Sequence, residues 1–575
     1  MFKLLRFLKG YRVFTVLGSF FKLLEAVGEL IVPLVVARMI DRGIADGNTA
    51  YIWKMSGLLI LLGAVGLGFS VTAQFMASKA GIGFGTKLRG ALYRHIGKLS
   101  LAETDKFGTA GLLTRINSDS IQAQVGVAMF IRLALRAPFI VAGALVMAIV
   151  ISPRIGLGFI LMAAVESVIL WLVMTRTAPH YRKIQSNLDE VSQLTRTNLS
   201  GARVVRAFSR QKEEEARFYE SADRLKKRSV RAALISALLS PITYAIINLA
   251  VIAVLHFGGK AVYAGTLSQG DVIALVNYLS QILLALVATA DLVVIFTKSS
   301  ACAGRINEVF AVQPSITDGS DTPPTPVAGA DTLTFEDVHF GYHETGAEAI
   351  KGVSFSLGRG QTLGVIGSTG SGKSTLTSLV LRFYDVKSGA VLLDGVNIKE
   401  YPLGALRKKI GIVPQAPMLF SGTLRENLTF GKEDATDEEM IEALKAAQAW
   451  EFVQALPDGL NTRVSRGGRN FSGGQRQRLT IARALVGTPE LLILDDASSA
   501  LDYATDAQLR GALKRLPFAP TVILISQRAF SLKHADAILV LENGEQVGYG
   551  THEALLENCE VYREICNSQT KEEEA

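Results

Sequence analysis

Three short stretches in the second half of this chain carry residues suited to chemistry on phosphates. The first is GSTGSGKST, made of Gly367, Ser368, Thr369, Gly370, Ser371, Gly372, Lys373, Ser374 and Thr375. It follows the apolar run QTLGVI and precedes the helix-like LTSLVLRFY, so a glycine-rich phosphate loop stands between a strand and a helix. Its glycines let backbone N–H groups point at phosphate oxygens, Lys373 adds a point charge, and Ser374 is a ligand for Mg2+. The second stretch, LLILD, reads as a buried strand whose terminal carboxylate, Asp495, holds the magnesium shell. The third, FSGGQ, comprises Phe471, Ser472, Gly473, Gly474 and Gln475. A Ser-Gly-Gly turn opening a helix is a second anion-binding device, and two such devices in one domain suggest nucleotide shared between two domains.

These residues need a rigid soluble domain, and the chain around them has room for one. A length of 575 residues exceeds one hydrophobic core, so at least two domains are expected. Hydrophobic residues make up 49% of the chain but crowd its first 300 positions, whereas everything after Gly319 reads as a soluble α/β protein. Six apolar segments, at 14–40, 55–77, 125–151, 155–173, 233–257 and 272–296, approach the ~20 residues a spanning helix needs.

The connections between them differ in charge. Three are short and poor in Lys and Arg; the other two are long and carry Lys87, Arg89, Arg94, Lys98, Arg203, Arg206, Arg224, Lys226, Lys227 and Arg228. That asymmetry puts the long connections and both termini on the cytoplasmic side of a cell membrane, inner or plasma, and accounts for the net charge of +8 without nucleic acid. Both long connections have helical spacing, which predicts helices running out as rods with tips near 104–113 and 199–208. The N-terminal MFKLLRFLKGYR predicts an amphipathic helix on the membrane surface. Cys302, Cys559 and Cys566 lack metal-ligand spacing and read as free thiols. Lys22, Glu25, Glu29, Arg132, Arg136, Glu166 and Asp291 fall inside apolar segments, where such groups pair with one another or face a polar path.

The order phosphate loop, Gln415 in IVPQ, FSGGQ, LLILDD, SALD and a switch position at Gln527 resembles the nucleotide-binding domain of the ABC transporter superfamily. With six preceding spans, and with NLSGARVVRAFSRQKEEEARF resembling the family's second coupling segment, the whole chain resembles an exporter-type half-transporter. The resemblance implies a multidomain membrane protein: a six-helix transmembrane domain at 1–311 with an N-terminal elbow helix, a linker at 312–330, and an α/β P-loop nucleotide-binding domain at 331–575. It implies ATP and Mg2+ as ligands, a bilayer, and a second half-transporter as partner. Tyr342 would stack on adenine, and Gln415 would approach the magnesium ion and the attacking water. Residues 471–475 would grip nucleotide held by the partner, and Asp502 would cross the dimer interface.

Two departures stand out. Where the family shows a glutamate that polarises the attacking water and a histidine that senses the γ-phosphate, this chain has Asp496 and Gln527. Asp496 is one methylene short of the family's base, and a misplacement of ~1 Å can cost on the order of 100-fold. Gln527 cannot carry the charge of an imidazolium. The pair resembles the degenerate subunit of heterodimeric exporters, with ATP held at a weakened site and FSGGQ completing the partner's active site. Ser465 and Arg466 stand where the family shows Gly and Glu, which marks an altered loop. The expected function is ATP-driven, multidrug-type export of amphiphilic drugs, lipids or peptides by alternating access. A homodimeric exporter with slow hydrolysis and a nucleotide-gated regulatory membrane protein are the alternatives.

Overall fold

A computed structural model describes the whole chain except Asp321, 343–345, Ser498, Ala500 and 574–575, and the side chains at 174, 178, 181, 182, 236, 239, 240 and 570–573. The chain forms two compact units: Met1–Gly97 with Thr109–Val312, and Lys98–Gly108 with Gln313–Ala575.

The first unit is helical. Three of its helices, Thr49–Ile96, Pro153–Ser200 and Gln269–Ala311, are 48, 48 and 43 residues long. At 1.5 Å per residue the longest reach ~72 Å, more than twice the ~30 Å of a hydrocarbon core. Among the described residues, five helices are long and apolar enough to cross a membrane. Arg12–Met39 is also helical but carries Lys22, Glu25 and Glu29. Those charges are matched inside the unit: Lys22 Nζ lies 2.5 Å from Glu25, and Arg136 lies 2.7 Å from Glu29. The third apolar segment is interrupted, with one helix ending at Leu133 and the next opening at Arg136. The N-terminal residues Phe2–Leu8 form a 3-10 helix that buries Leu4 and sets Phe7 against Phe310. The second rod ends at Gly201 and is followed by a short helix, Ala202–Ala207, with Val204 and Phe208 exposed.

The second unit is built on a ten-stranded sheet. One half of it, ending at an edge strand, runs in spatial order Ala537–Glu542, Thr362–Gly367, Thr521–Ile525, Leu491–Asp495 and Ile410–Val413, all parallel. These strands are continuous apolar runs because helices cover both faces. On the other side, Leu333–Phe340 pairs antiparallel with Ile350–Leu357 and with Ser388–Leu393. One core lies on each face, the larger around Leu492, Leu494, Leu479 and Tyr562, the other around Phe335, Phe355, Leu376 and Ile493.

The stretch at 312–330 packs on this unit rather than hanging free. Asp318 accepts the Leu403 N–H at 2.9 Å, and Val327 N–H donates to Asp394 O. The tip helix Leu101–Phe107, opened by the capping box of Ser100 and Glu103, belongs to the same unit, with the Tyr384 hydroxyl 3.5 Å from Asp105.

Candidate active site

Parallel neighbours deliver their C-terminal ends to one edge of a sheet, and there this fold gathers its chemistry. Strand Thr362–Gly367 runs into the phosphate-loop sequence, and helix Lys373–Val380 starts immediately after it. The backbone path explains the glycines. Gly370 has φ +83° and Gly372 φ +105°, and a side chain at Gly372 would stand 2.8 Å from Ala349 O. A Cβ at Gly367 would strike Leu541 O at 2.1 Å. The free N–H groups of the following helix face the loop's mouth, where an anion is stabilised. Lys373 lies back across the loop, its Nζ donating to Gly367 O at 2.8 Å and Ser368 O at 2.7 Å. Burial pushes its pKa down, against the pull of Asp495 and Asp496.

The two adjoining strands bring the carboxylates and the switch. Leu491–Asp495 ends at Asp495, and Asp496 turns the chain with φ +49°, a left-handed conformation that aspartate tolerates better than most residues. Ser499 fixes that turn by donating its hydroxyl to Asp496 O at 2.8 Å. Thr521–Ile525 leads directly to Gln527.

A cavity of about 310 Å³ opens between these elements, and Tyr342, Thr369, Gly370, Gly372, Lys373, Ser374, Thr375, Gln415, Asp495, Asp496 and Gln527 line it. Gly367, Ser368 and Ser371 stand behind that lining and hold Lys373. Tyr342 is half exposed, with its hydroxyl 3.0 Å from Thr375 Oγ1 and its ring edge-on to Phe340 and Tyr384. Burial raises the pKa of Asp495, its neighbour Asp496 adds to that, and Lys373 opposes it. Burial also raises Asp496, countered by a hydrogen bond from Gln415 and by the charges of Arg528 and Lys373. The hydroxyl of Ser374, the Asp495 carboxylate and the Gln415 amide are oxygen donors in the lining of this cavity, the donor chemistry that a hard cation such as Mg2+ prefers.

The remaining predicted residues lie outside the cavity. Ser472 caps helix Gly473–Val486 with a full capping box: Gln475 N–H donates to Ser472 Oγ at 3.3 Å, and Ser472 N–H donates to Gln475 Oε1 at 2.9 Å. Ser472 and Gly473 are exposed, as an anion-binding turn awaiting a ligand from outside the chain would be, and Gly474 follows in the first turn. Phe471 points the other way, buried against Phe452, so its difference from the commoner leucine is a core substitution. Asp502 caps Tyr503–Lys514, accepting Thr505 N–H at 2.8 Å. Ala500 of SALD lies outside the described residues.

Two further residues act on the site, Arg528 and Gln569, and only the second has no sequence signal. Arg528 directs its charge at Asp496 from the position after the switch. Gln569, on the last helix, donates to Gln527 O at 2.7 Å and accepts from Ala529 N–H at 2.8 Å, so it holds the switch segment by its backbone. The basic residue beside Gln527 was visible in the sequence; a glutamine 42 residues downstream carries no motif.

Residues 15–286 match the family model of the ABC transporter transmembrane region, and residues 350–499 match the ABC transporter family model. An uncharacterized ABC transporter ATP-binding protein of Mycobacterium tuberculosis is 37% identical over 571 residues, 98% of this chain and 97% of that protein. The chain belongs to the ABC transporter family. This ABC transporter carries both domains in one polypeptide, as an exporter-type half-transporter does, and its cassette is an ATPase domain. YfiB of Bacillus subtilis, an uncharacterized ABC transporter ATP-binding protein, is 34% identical across 99% of this chain and 98% of its own length. The ATP-dependent lipid A-core flippase of Chromobacterium violaceum is 30% identical across 100% and 98%. In fold the transporter matches a bacterial Atm1-family ABC exporter with ATP bound, with a TM-score of 0.81 at 24% identity over 97% of this chain and 98% of that one.

Proposed function

We propose that this ABC exporter chain is the weakened half of a heterodimer: it binds ATP at a site poor in hydrolysis and completes the active site of a different half-transporter. The observation that carries this reading is the division of its site residues. Asp496 and Gln527 line the same cavity as Lys373, Ser374 and Asp495, while Ser472, Gly473 and Asp502 face outward from it. In this reading the loop amides and Lys373 hold the phosphates, and Tyr342 offers a ring face to the base. Ser374, Asp495 and Gln415 hold a magnesium ion, which when bound neutralises phosphate charge.

Asp496 is then asked to orient and deprotonate water from a side chain one methylene short, already hydrogen-bonded by Gln415. Gln527 contributes a neutral amide where the family uses an imidazole. Binding is intact and the proton-transfer step is impaired. Ser472 and the N–H groups of Gly473 and Gly474 meet the γ-phosphate held by the partner, whose site has Glu and His. ATP-driven closure of the two cassettes passes through the rods to the spans, with both termini in the cytoplasm, and moves an amphiphilic substrate outward.

The cassette also offers a groove of about 890 Å³ lined by Phe420, Phe430, Gly431 and Arg483. It suits an exposed apolar pair on a partner's second tip, of the kind that Val204 and Phe208 form on the tip of this chain. Beside it the loop after Val464 departs from the family: Ser465 ties to Asn470, leaving Arg466 exposed between exposed Arg463 and Arg469. This chain's own second tip is basic through Arg203 and Arg206, so a partner with an acidic tip is the better electrostatic match.

The experiment is a trapping measurement on the co-purified dimer with labelled ATP. Retention of about one unhydrolysed ATP per dimer through many turnovers is the expected result. Release of both nucleotides at the turnover rate rejects the proposal and favours a homodimer in which Asp496 suffices.

A further inference from the structure

Within the membrane unit, three polar side chains from three helices meet at one cavity. Glu29 comes from Arg12–Met39, Arg136 opens Arg136–Ile151, and Gln281 comes from Gln269–Ala311. The cavity they line holds about 330 Å³ and is otherwise aliphatic, walled by Val32, Ile140 and Leu284. A volume of this order with apolar walls and a few convergent polar groups is the usual make-up of a small-molecule site.

The polar groups are under-used. Arg136 gives both contacts to Glu29 from one nitrogen, at 2.7 and 2.9 Å, and its Nε is buried without a partner. A guanidinium pairs best through two nitrogens in a fork, so one donor edge is left over. Gln281 donates to Glu29 O at 3.1 Å, yet its own carbonyl oxygen is buried and unpaired. Buried groups of this kind are normally satisfied. Arg136 follows a short break in the helix hydrogen bonding, where Ala134 and Leu135 keep right-handed helical φ/ψ and Pro138 has no N–H to give Ala134 O.

We propose that Glu29, Arg136 and Gln281 form the headgroup site for the transported amphiphile, and that it selects a compact head bearing both an ammonium and an anion; this rests on the exporter reading above. The chemistry favours both charges together. A cation alone would draw Glu29 away and strand Arg136, and an anion alone would strand Glu29, each leaving an uncompensated charge in a low-dielectric setting. A zwitterion replaces both partners at once. Its anion takes the open edge of Arg136, its N–H groups take Glu29 and the Gln281 carbonyl, and its apolar body lies on the aliphatic wall. A lipid headgroup and a peptide with free termini share this chemistry.

The test is equilibrium binding to the full-length chain in a neutral maltoside detergent. The probes are dodecylphosphoethanolamine, dodecyl phosphate, dodecylamine and the peptide trileucine, with ATP binding measured in parallel. The zwitterionic dodecyl probe is expected to bind at least about tenfold more tightly than either the purely anionic or the purely cationic one. Gln281→Leu, which leaves the ion pair intact, is expected to remove about tenfold of that preference with ATP binding unchanged. Trileucine binding that is lost in Gln281→Leu makes a peptide the source; binding of dodecylphosphoethanolamine alone makes it a lipid. Equal binding of all three dodecyl probes, or no effect of either Gln281→Leu or the double variant Glu29→Gln with Arg136→Gln, overturns the site. Normal probe selectivity in a chain that neither binds ATP nor assembles overturns the exporter reading and leaves the site standing.

Discussion

Asp496 sits at the end of a buried strand in a left-handed turn, facing Lys373 and touched by Gln415. If its carboxylate contributes little to hydrolysis, Asp496→Asn keeps the turn's geometry and should change turnover of the assembled transporter by less than about twofold; a loss near 100-fold would mark it as a working base. The opposite pattern is expected at Lys373, where Lys373→Ala should weaken nucleotide binding by more than about tenfold, read by titration with a fluorescent nucleotide. A third residue-scale expectation concerns His339, whose Nδ1 lies 3.0 Å from Glu348. That hydrogen bond raises the histidine's pKa above its ordinary 6.5 and lowers that of Glu348 below 4.5. The histidine's contribution is complete below 6.5 and is lost as pH rises through its folded value; the glutamate's is complete above 4.5 and is lost as pH falls through its folded value. The pairing therefore acts between the two folded values. Titration of the His339 ring by NMR should give a midpoint above 6.5 that falls toward it in Glu348→Gln, and an unchanged midpoint would refute the coupling. Site residues were legible wherever the chemistry dictates a local pattern, as in the phosphate loop or FSGGQ. Gln569 was not, because its role depends on where the last helix returns in space.

The final helix, Glu560–Glu573, is the element that most directly holds the switch. Gln569 makes two hydrogen bonds to the backbone around Gln527, and Tyr562 anchors the helix in the core with its hydroxyl 2.7 Å from His552. Removing both bonds with Gln569→Ala should cost about 1–2 kcal/mol of local stability and speed hydrogen exchange at the Ala529 N–H by about tenfold, measured by mass spectrometry. Protection equal to that of the parent would show that the switch is held by other contacts. At this scale the sequence was most informative about helices. Their apolar runs marked the spans, and the amphipathic spacing beyond them marked the rods. The interruption at Ala134 and Leu135 has a sequence cause, since Pro138 has no N–H to give Ala134 O, while the Ser19 hydroxyl on Ile131 O is a tertiary contact that no local pattern announces. The sequence was likewise silent on 312–330, whose Pro and Asp content reads as a linker but whose backbone pairs with the cassette.

At the scale of the whole molecule, a single ABC exporter chain exposes half of two composite sites: a nucleotide cavity without a signature turn, and a signature turn without a nucleotide. Function therefore belongs to a pair, and in the reading proposed above the departures at Asp496, Gln527 and Arg466 make its two halves unlike. The charges inside the spans fit the same picture. Glu29 and Arg136 neutralise each other yet keep hydrogen-bonding capacity for a substrate head, which a purely structural ion pair would have used up. The measurement that tests the central claim most directly is ATP turnover of the chain alone, of the co-assembled dimer, and of that dimer carrying Asp496→Glu with Gln527→His. The account predicts negligible turnover alone, a rise on pairing that is abolished by Ser472→Ala, and a further rise when Glu and His are restored. Brisk turnover of the chain alone, with no gain from the restored residues, would contradict it.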